Sequence, residues 1–286
     1  MEKKKSDGKG LLYVKRIICY LTLIFLTIMC LFSFYILIVN ATRAHSDIQK
    51  GFSFLPGKSF MVNLKNILKN QNLPVLHGII NSLFISTCCA VLTTYFSAMT
   101  AYAIHSYEFR FKKAAFLFIM LVMMVPTQVS ALGFIGLITK MKLMDNYVPL
   151  IVPSIAAPIV FFFMKQYMES NLPIEIIEAA RIDGSGEFNT FNRIVLPIIK
   201  PAIAVQAIFS FVSSWNNYFI PSLVIKTNEK KTLPILIAQL RSADFLKFDM
   251  GQVYIMIAIA IIPVMIVYFF LSKFIVRGIA VGSLKG

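Results

Sequence analysis

Charged residues are scarce in this chain of 286 residues. Asp, Glu, Lys and Arg make up 14% of it and hydrophobic residues 58%, whereas an ordinary globular domain is about 25% charged and about 45–50% apolar. Uncharged runs longer than about 18 residues recur along the sequence, and such runs are typical of membrane-spanning helices. The scarcity excludes a disordered chain. It also argues against a water-soluble enzyme and against a soluble protein with a very large core.

Cysteine and histidine are rare as well, with four and three copies. All four cysteines lie inside apolar runs, and Cys88 and Cys89 are adjacent, which suits neither a structural zinc site nor a disulfide framework. The histidines stand singly at the ends of apolar runs or in loops. Because the sequence also lacks paired carboxylates and a nucleophile–base arrangement, it predicts no metal site and argues against an integral membrane enzyme.

A nucleotide-binding loop is also missing. Gly57-Lys58-Ser59 matches the end of the phosphate-binding motif, but that motif needs a glycine five residues before Gly57. Phe52 stands at that position. We therefore expect that this chain binds no cofactor of its own and does not hydrolyse ATP.

The charges that are present give a net charge of +15. A nucleic-acid partner would suit a basic chain, but the basic residues do not gather on one motif, and zinc and RNA-binding signatures are missing. Lys and Arg instead flank the apolar runs, as is typical of membrane proteins. The charge distribution therefore predicts a lipid bilayer, and no nucleic acid, as the surroundings of this chain.

Six apolar segments are long enough, allowing for tilt, to cross about 30 Å of hydrocarbon. The predicted spans are residues 17–41, 78–104, 114–138, 148–164, 197–225 and 254–274. The sequence thus predicts an all-α integral membrane protein with about six transmembrane helices. It divides into an N-terminal segment (1–16), one transmembrane domain (17–275) and a C-terminal tail (276–286). Sixteen of the 28 Lys and Arg residues fall on the side that holds the N-terminus, so the positive-inside rule predicts that both termini are cytoplasmic.

The predicted spans carry no Asp, Glu, Lys or Arg near their middle. Ion-coupled carriers usually keep ionisable groups there, so this absence argues against a gradient-driven secondary transporter or channel. Prolines interrupt the spans instead, and we expect them to bend the helices around one another or around a cavity. They are Pro126, Pro149, Pro153, Pro158, Pro221 and Pro263.

One charged stretch interrupts the apolar second half of the chain: "EAARIDGSGEFNTFNRIVLP", from Glu178 to Pro197. Residues that favour helix run up to Arg181, and Gly184 is expected to end that helix in a left-handed conformation. The pattern predicts a cytoplasmic helix–glycine–helix elbow at about residues 170–196. Such an elbow is either an amphipathic loop lying on the membrane or a docking element for a soluble partner.

The two short helices of the elbow have their own start signals. Asn171 is expected to cap the first helix and Ser185 the second, because both side chains can accept a hydrogen bond from a free backbone N–H group. Phe188, Phe191 and Val195 recur at intervals of three and four, which predicts one apolar face on the second helix.

The charged stretch resembles the EAA loop in the permease subunits of bacterial ATP-binding-cassette importers. That family pattern is Glu-Ala-Ala, three residues, Gly, nine residues, Ile, one residue, Leu-Pro. The positions that match in register are Glu178, Ala179, Ala180, Gly184, Ile194, Leu196 and Pro197, while Ser185 departs from the family's usual alanine. In that family the elbow is the coupling helix, which docks in a groove of the ATPase subunit. The resemblance therefore implies an ATPase-coupling role for Glu178, Ala179, Ala180, Asp183 and Gly184, with Glu178 engaging a basic residue.

The resemblance also implies a complex. This chain and a second homologous permease subunit would form the pore, two ATPase subunits would bind ATP and Mg, and an external or periplasmic solute-binding protein would deliver the substrate. The segment "FVSSWNNYFIPSLVI", followed by "TLP", looks like sugar-importer permeases, and the tail "FIVRGIAVGSLKG" resembles the ending of the maltose-type second permease subunit. These similarities imply import of a sugar or oligosaccharide across the bacterial cytoplasmic membrane, with glycerol phosphate as the alternative cargo.

The densest polar and aromatic cluster inside a predicted span is "SSWNNY", residues 213–218. Hydroxyl and amide side chains suit the hydroxyl groups of sugars. On a continuous helix, Ser213 and Ser214 lie one turn from Asn217 and would form one polar stripe with it. We predict that this stripe lines the translocation path. The alternative is that Trp215 and Tyr218 only pack or anchor the span near the outer interface.

Overall fold

The structure is a computed structural model that describes residues 3–70, 72–242 and 249–282. Over these residues all regular secondary structure is helical, as the sequence predicts. In chain order the helices are α1 Lys3–Ala41, α2 His45–Gln49, α3 Phe60–Lys69, α4 Val75–Ser106, α5 Lys112–Met123, α6 Thr127–Lys140, α7 Val148–Ile151, α8 Pro158–Asn171, α9 Ile174–Ile182, α10 Glu187–Thr190, α11 Leu196–Ile198, α12 Lys200–Trp215, α13 Phe219–Val224, α14 Leu233–Arg241 and α15 Met250–Gly282. Two short 3₁₀ turns, Val152–Ile155 and Asn228–Lys230, and one π-helical turn, Phe191–Val195, lie between them.

The chain forms two compact units. The first comprises Met1–Lys69 and Leu240–Ile259, and the second comprises Asn70–Gln239 and Ala260–Gly286. The division into one transmembrane domain at 17–275 with two short cytoplasmic ends stays a prediction. Residues 1–2 and 283–286 of those ends lie outside the described residues.

A buried arginine organises the loop that follows α1 in the first unit. Arg43 is buried, and its guanidinium donates to Asn40 Oδ1 (3.1 Å) and to the carbonyl oxygens of Asp47 and Gly51 (the latter at 3.0 Å). Asn63 of α3 donates in turn to the Arg43 carbonyl at 3.0 Å. These bonds satisfy polar groups that burial would otherwise leave without partners.

Among the described residues, four to six helical segments are long and apolar enough to cross a membrane. The helices that are long and apolar enough to cross a membrane alone are Leu12–Ala41, Val75–Ser106, Val148–Asn171 and Met250–Ser272. Two further pairs pass the test only together, because α5 and α6 meet at 96° and the end of the elbow meets α12 at 83°. With each bent pair as one span the count is six, which confirms the predicted fold class. Pro126 stands in the first bend, as expected, whereas Pro263 lies inside α15 without ending it.

The prediction of one continuous fifth span at 197–225 is wrong. The helix α12 begins at Lys200 and ends at Trp215, residues 216–218 are not helical, and α13 begins at Phe219. Pro221 gives the physical reason, because in a continuous helix its ring would clash with the carbonyl oxygen of Asn217. The polar cluster that was expected inside a helix therefore lies at the end of one.

The central helix of the second unit is α4, which packs along α8 and α12. The 3₁₀ turn before α8 leaves backbone carbonyls without helical partners, and polar side chains of α4 bond to them. Thr93 donates to the Ser154 carbonyl at 2.8 Å and Ser97 to the Ala157 carbonyl at 3.4 Å. Irregular backbone at membrane depth requires such internal partners, since lipid offers none.

The two ends of α4 bind different sets of connecting loops. Near its start, Asn81 donates to the carbonyls of Glu229 and Lys231 (2.7 and 3.1 Å), and the neighbouring Ser82 accepts from the N–H of Leu233, the first residue of α14, at 2.8 Å. Near its end, His105 contacts the Leu172 carbonyl at 3.0 Å through Nε2. The start of α4 therefore binds the loop before α14, and the end of α4 binds the elbow. The two connecting segments lie at opposite ends of this helix.

Candidate coupling elbow and membrane path

The first helix of the elbow, α9, ends at the glycine that the sequence predicts. Gly184 has φ +78°, its N–H donates to the Arg181 carbonyl (3.0 Å), and the N–H of Ser185 donates to the Ala180 carbonyl (2.9 Å). This pair of bonds is the Schellman arrangement, which satisfies the free carbonyls of a helix end and needs a left-handed residue. The predicted left-handed stop is confirmed.

The five predicted coupling residues do not all face the same way. Glu178, Ala179, Asp183 and Gly184 are exposed, whereas Ala180 is buried. Ala180 thus packs inside its own chain, and only Ala179 of the pair offers a small side chain to an approaching surface. The exposed face of α9 combines acidic and apolar groups, since Ile182 beside them is 86% exposed.

Neither of the two helix caps that the sequence predicts for the elbow is present. The residue before α10 is Gly186 rather than Ser185, and Ser185 makes no cap bond to the backbone; its Oγ accepts from the side chains of Asn189 and Thr190 (2.9 Å each). Likewise, the Asn171 side chain bonds back into α8 and does not cap α9.

The predicted apolar face of the second helix is also incomplete. Phe191 and Val195 are buried, but Phe188 is 72% exposed. Phe188 lies in α10, before the π-helical turn at Phe191–Val195, and of the three residues only the two within that turn face inward. Phe188 and Ile182 consequently form two apolar points on the outer surface of the elbow.

A charged cluster that sequence reasoning missed holds the elbow to α4. Glu187 accepts from Arg181 Nε at 2.8 Å and from the Tyr102 hydroxyl at 2.7 Å, and the Arg181 guanidinium lies 5.0 Å from the centre of the Tyr107 ring. Although burial acts to raise the pKa of Glu187, hydrogen bonds from Tyr107, Arg181 and Tyr102 lower it to about 2. The carboxylate is therefore charged at neutral pH and joins both short helices of the elbow to α4.

Further contacts extend this joint along α4. The Tyr95 hydroxyl lies 3.2 Å from Asn192 Oδ1, and the Phe191 ring packs against the rings of Tyr95 and Tyr102 with centroids 5.7 and 5.5 Å apart. Aromatic pairs at such distances are each worth about 0.5–1.5 kcal/mol beyond their area burial. The elbow therefore contacts roughly the last three turns of α4, and α4 in turn packs along α12.

The predicted polar stripe does not form, because Asn217 lies beyond the end of α12. Ser213 and Asn217 are exposed and Ser214 is half-buried. Trp215 is buried; its indole stacks on Phe211 with centroids 5.8 Å apart, and Nε1 donates to the Ala260 carbonyl at 3.1 Å. For Trp215 the packing interpretation thus describes the structure. The assignment of Ser213, Ser214 and Asn217 to the translocation path stays a prediction.

Sequence reasoning could not have found the Glu187 cluster. Glu187 is one exposed-looking charge in a polar stretch, and Tyr102 lies 85 positions earlier in an apolar run. Among the described residues no group of three or more His, Cys, Asp or Glu side chains is placed to hold a metal ion.

Residues 93–281 match the model of the binding-protein-dependent transport system inner membrane component family. The chain belongs to this family. It is a multi-pass permease in the cell membrane, and it belongs to the ATP-binding-cassette transporter class. The predicted resemblance is confirmed.

Curated relatives extend the similarity over nearly the whole permease. It is 32% identical to the arabinooligosaccharides transport system permease protein AraQ of Bacillus subtilis (strain 168), over 96% of this chain and 97% of that protein. It is 29% identical to the sn-glycerol-3-phosphate transport system permease protein UgpE of Yersinia pestis, over 92% and 95%.

A solved structure shows the same fold. A bacterial ABC transporter involved in the import of the acidic polysaccharide alginate has a chain that superposes with a TM-score of 0.76. The superposition covers 90% of this chain and 96% of that one at 22% identity. At this identity the likeness establishes the architecture of the permease and not its cargo.

Proposed function

We propose that this permease is one of two pore-forming subunits of an importer for a sugar or oligosaccharide. Two relatives, AraQ and the lactose transport system permease protein LacG of Rhizobium radiobacter, are named for sugar cargo. The permease has no catalytic role in this proposal. ATP and Mg bind to two partner ATPase subunits, and an external solute-binding protein delivers the substrate.

The observation that carries the proposal is the elbow closed at Gly184. It presents Glu178, Ala179 and Asp183 on one exposed surface while Glu187 ties its inner surface to α4. An ATPase that pulls or pushes on this surface moves α4, because the elbow is bonded to it at several points. Glu178 engages a basic residue of the ATPase, and the pore opens when α4 and α12 shift.

The orientation belongs to the same proposal. With both termini in the cytoplasm, the elbow faces the ATPases, and the loops at 141–147 and 225–232 face outward. The excess of Lys and Arg on the cytoplasmic side supports this orientation. Labelling of Asn228→Cys from outside sealed cells tests it, with Ser185→Cys as the protected control.

The proposal is tested by uptake into proteoliposomes that contain the whole importer. We expect ATP-dependent uptake of a labelled oligosaccharide when the binding protein is present. Glu178→Ala should leave the subunits assembled but abolish uptake and the ATP hydrolysis that the binding protein stimulates. Normal uptake by Glu178→Ala would contradict the coupling role.

Glycerol phosphate is the second candidate cargo, since UgpE is named for it. The same proteoliposomes distinguish the two. Uptake of labelled sn-glycerol 3-phosphate without uptake of any sugar would replace the sugar proposal and leave the importer class intact.

A further inference from the structure

Two loops at the outer end of the second unit, as proposed above, carry an unusual number of lysines. They are the segment from the end of α6 to α7 (140–147) and the segment between α13 and α14 (225–232). Their lysines, here called the lysine platform, are Lys140, Lys142, Lys226, Lys230 and Lys231. The same segments hold only two carboxylates, Asp145 and Glu229, so the platform has a net positive charge.

Asp145 binds the two loops together. Its Oδ1 accepts from the backbone N–H groups of Lys226 and Thr227 at 2.9 and 3.0 Å, and its Oδ2 accepts from the Thr227 hydroxyl at 2.6 Å. Lys230 Nζ donates to Oδ2 at 3.0 Å, and the N–H of Asp145 donates to the Val224 carbonyl at 3.0 Å. Asp145 has φ +57°, a left-handed conformation that aspartate adopts more readily than most other residues.

The braced loops are also anchored beneath. Tyr147 donates through its hydroxyl to the Lys230 carbonyl at 3.2 Å, and Asn81 of α4 donates to the carbonyls on both sides of Lys230. Val224 is fully buried in an apolar cluster with Ile138 of α6. The backbone under the platform is therefore held in one arrangement before any partner arrives.

Three of the five ammonium groups are available. Lys230 is paired with Asp145, and Lys231 donates to Asn228 Oδ1 at 2.6 Å. Lys140, Lys142 and Lys226 are exposed, and they take part in none of the ion pairs formed among the described residues. Carboxylates presented by another molecule would find these charges unpaired.

We propose that the lysine platform docks an acidic surface of the external solute-binding protein. This inference rests on the proposed function, which supplies that partner and places the platform outside. Fixed spacing of charges benefits a folded partner, because preorganised groups lose less entropy on binding. A bilayer of anionic headgroups is fluid, and it would gain little from the Asp145 brace. The platform attracts the acidic surface during encounter and sets its register on the permease.

The test compares two charge-reversal variants of the complete importer in nanodiscs of neutral phosphatidylcholine. One is Lys140→Glu with Lys226→Glu. The matched control is Lys58→Glu with Lys65→Glu, which changes the charge equally at one exposed lysine before α3 and one within it, on the same predicted side. Both leave Asp145 and its brace in place. The readout is the affinity of the importer's own labelled binding protein.

We expect the platform variant to bind roughly ten-fold more weakly than wild type at about 50 mM salt, and the deficit to shrink at about 500 mM salt, because screening shortens the reach of surface charges. The control variant should stay within about two-fold of wild type, as expected for charges outside the interface. Equal weakening in both variants, or wild-type affinity in the platform variant, overturns the inference.

Two outcomes distinguish failure of this inference from failure of the proposed function. If wild type itself binds no external protein, the proposed function fails. If the platform variant binds normally in neutral nanodiscs but loses uptake only in liposomes with anionic lipid, the platform contacts headgroups, and the inference is overturned while the proposed function stands.

Discussion

The two ends of the second unit each gather hydrogen bonds on one carboxylate, but the donors differ. Glu187 is held by side chains of separate helices, Tyr102 of α4 and Arg181 of α9. Asp145 accepts from two backbone N–H groups of one loop as well as from the Thr227 hydroxyl and Lys230 of the same loop. The first arrangement joins helices that can move as rigid bodies, whereas the second braces two loops against each other.

This difference implies different sensitivities. A joint made of side chains depends on the identity of each partner and transmits the displacement of one helix to another. A brace made of backbone donors needs only an acceptor of the right shape at one position. The two carboxylates should therefore respond differently to the same chemical change, and the following three predictions test that contrast.

The largest effect is expected when each carboxylate is replaced by its amide. Glu187→Gln removes the ion pair with Arg181 and weakens hydrogen bonds that are worth about 1.5–3 kcal/mol each when charged, a value reduced here because both side chains are partly exposed. We expect a drop in ATP-driven uptake of about ten-fold, which corresponds to about 1.4 kcal/mol.

Asp145→Asn is the matched variant at the other end. Its amide oxygen still accepts from the two backbone N–H groups, and asparagine tolerates a left-handed conformation. We expect uptake within about two-fold of wild type, because the two backbone bonds of the brace are retained. Equal losses in the two variants, measured in proteoliposomes with matched amounts of importer, would remove the distinction between joint and brace.

A smaller effect is expected from the turn that shapes the joint. Gly184→Ala places a side chain at φ +78°, at a strain of about 1–2 kcal/mol. A Cβ atom there meets nothing within 4 Å, so the cost comes from the backbone alone. Gly186→Ala is the control, since Gly186 has φ −67° and equally open surroundings.

The readout for this pair is association of the purified permease with its ATPase. Gly184→Ala should weaken association, Gly184→Asn should recover part of it, and Gly186→Ala should not change it. A loss with Gly186→Ala as large as with Gly184→Ala would mean that bulk at the surface matters and that the left-handed turn does not.

The smallest effect is expected from pH. Hydrogen bonds lower the pKa of Glu187 from 4.5 to about 2. Hydrogen bonds from Thr227 and from the backbone lower the pKa of Asp145 below its usual value. A lowered pKa in the folded state contributes stability above the unfolded pKa, and that stability is lost as the pH falls below it.

The melting temperature of the detergent-purified permease should thus respond little to these groups between pH 5 and pH 8, and fall below about pH 4.5. Glu187→Gln should show a shallower fall than wild type. A loss of stability near pH 6 that Glu187→Gln abolishes would show that the pKa of Glu187 is not lowered.

The sequence predicted the elements whose causes are local. Long uncharged runs require a membrane, the helix-favouring residues before Gly184 specify α9, and glycine adopts the left-handed turn at little cost. The bend at Pro126 also has a local cause, because the missing N–H group of proline and the clash of its ring act within one helical turn. The exposure of Glu178 also follows from its place on a short polar elbow.

Only the tertiary structure decided which elbow residues face inward and what they bond. Ala180 and Ala179 are neighbours of one type, yet one is buried and the other exposed, because only one side of α9 packs against the rest of its unit. Glu187 finds Tyr102, and Asp145 finds Thr227, across more than 80 positions of chain. Hydrogen bonds of this kind form between groups that folding brings together, so neither composition nor periodicity along the sequence carries any trace of them.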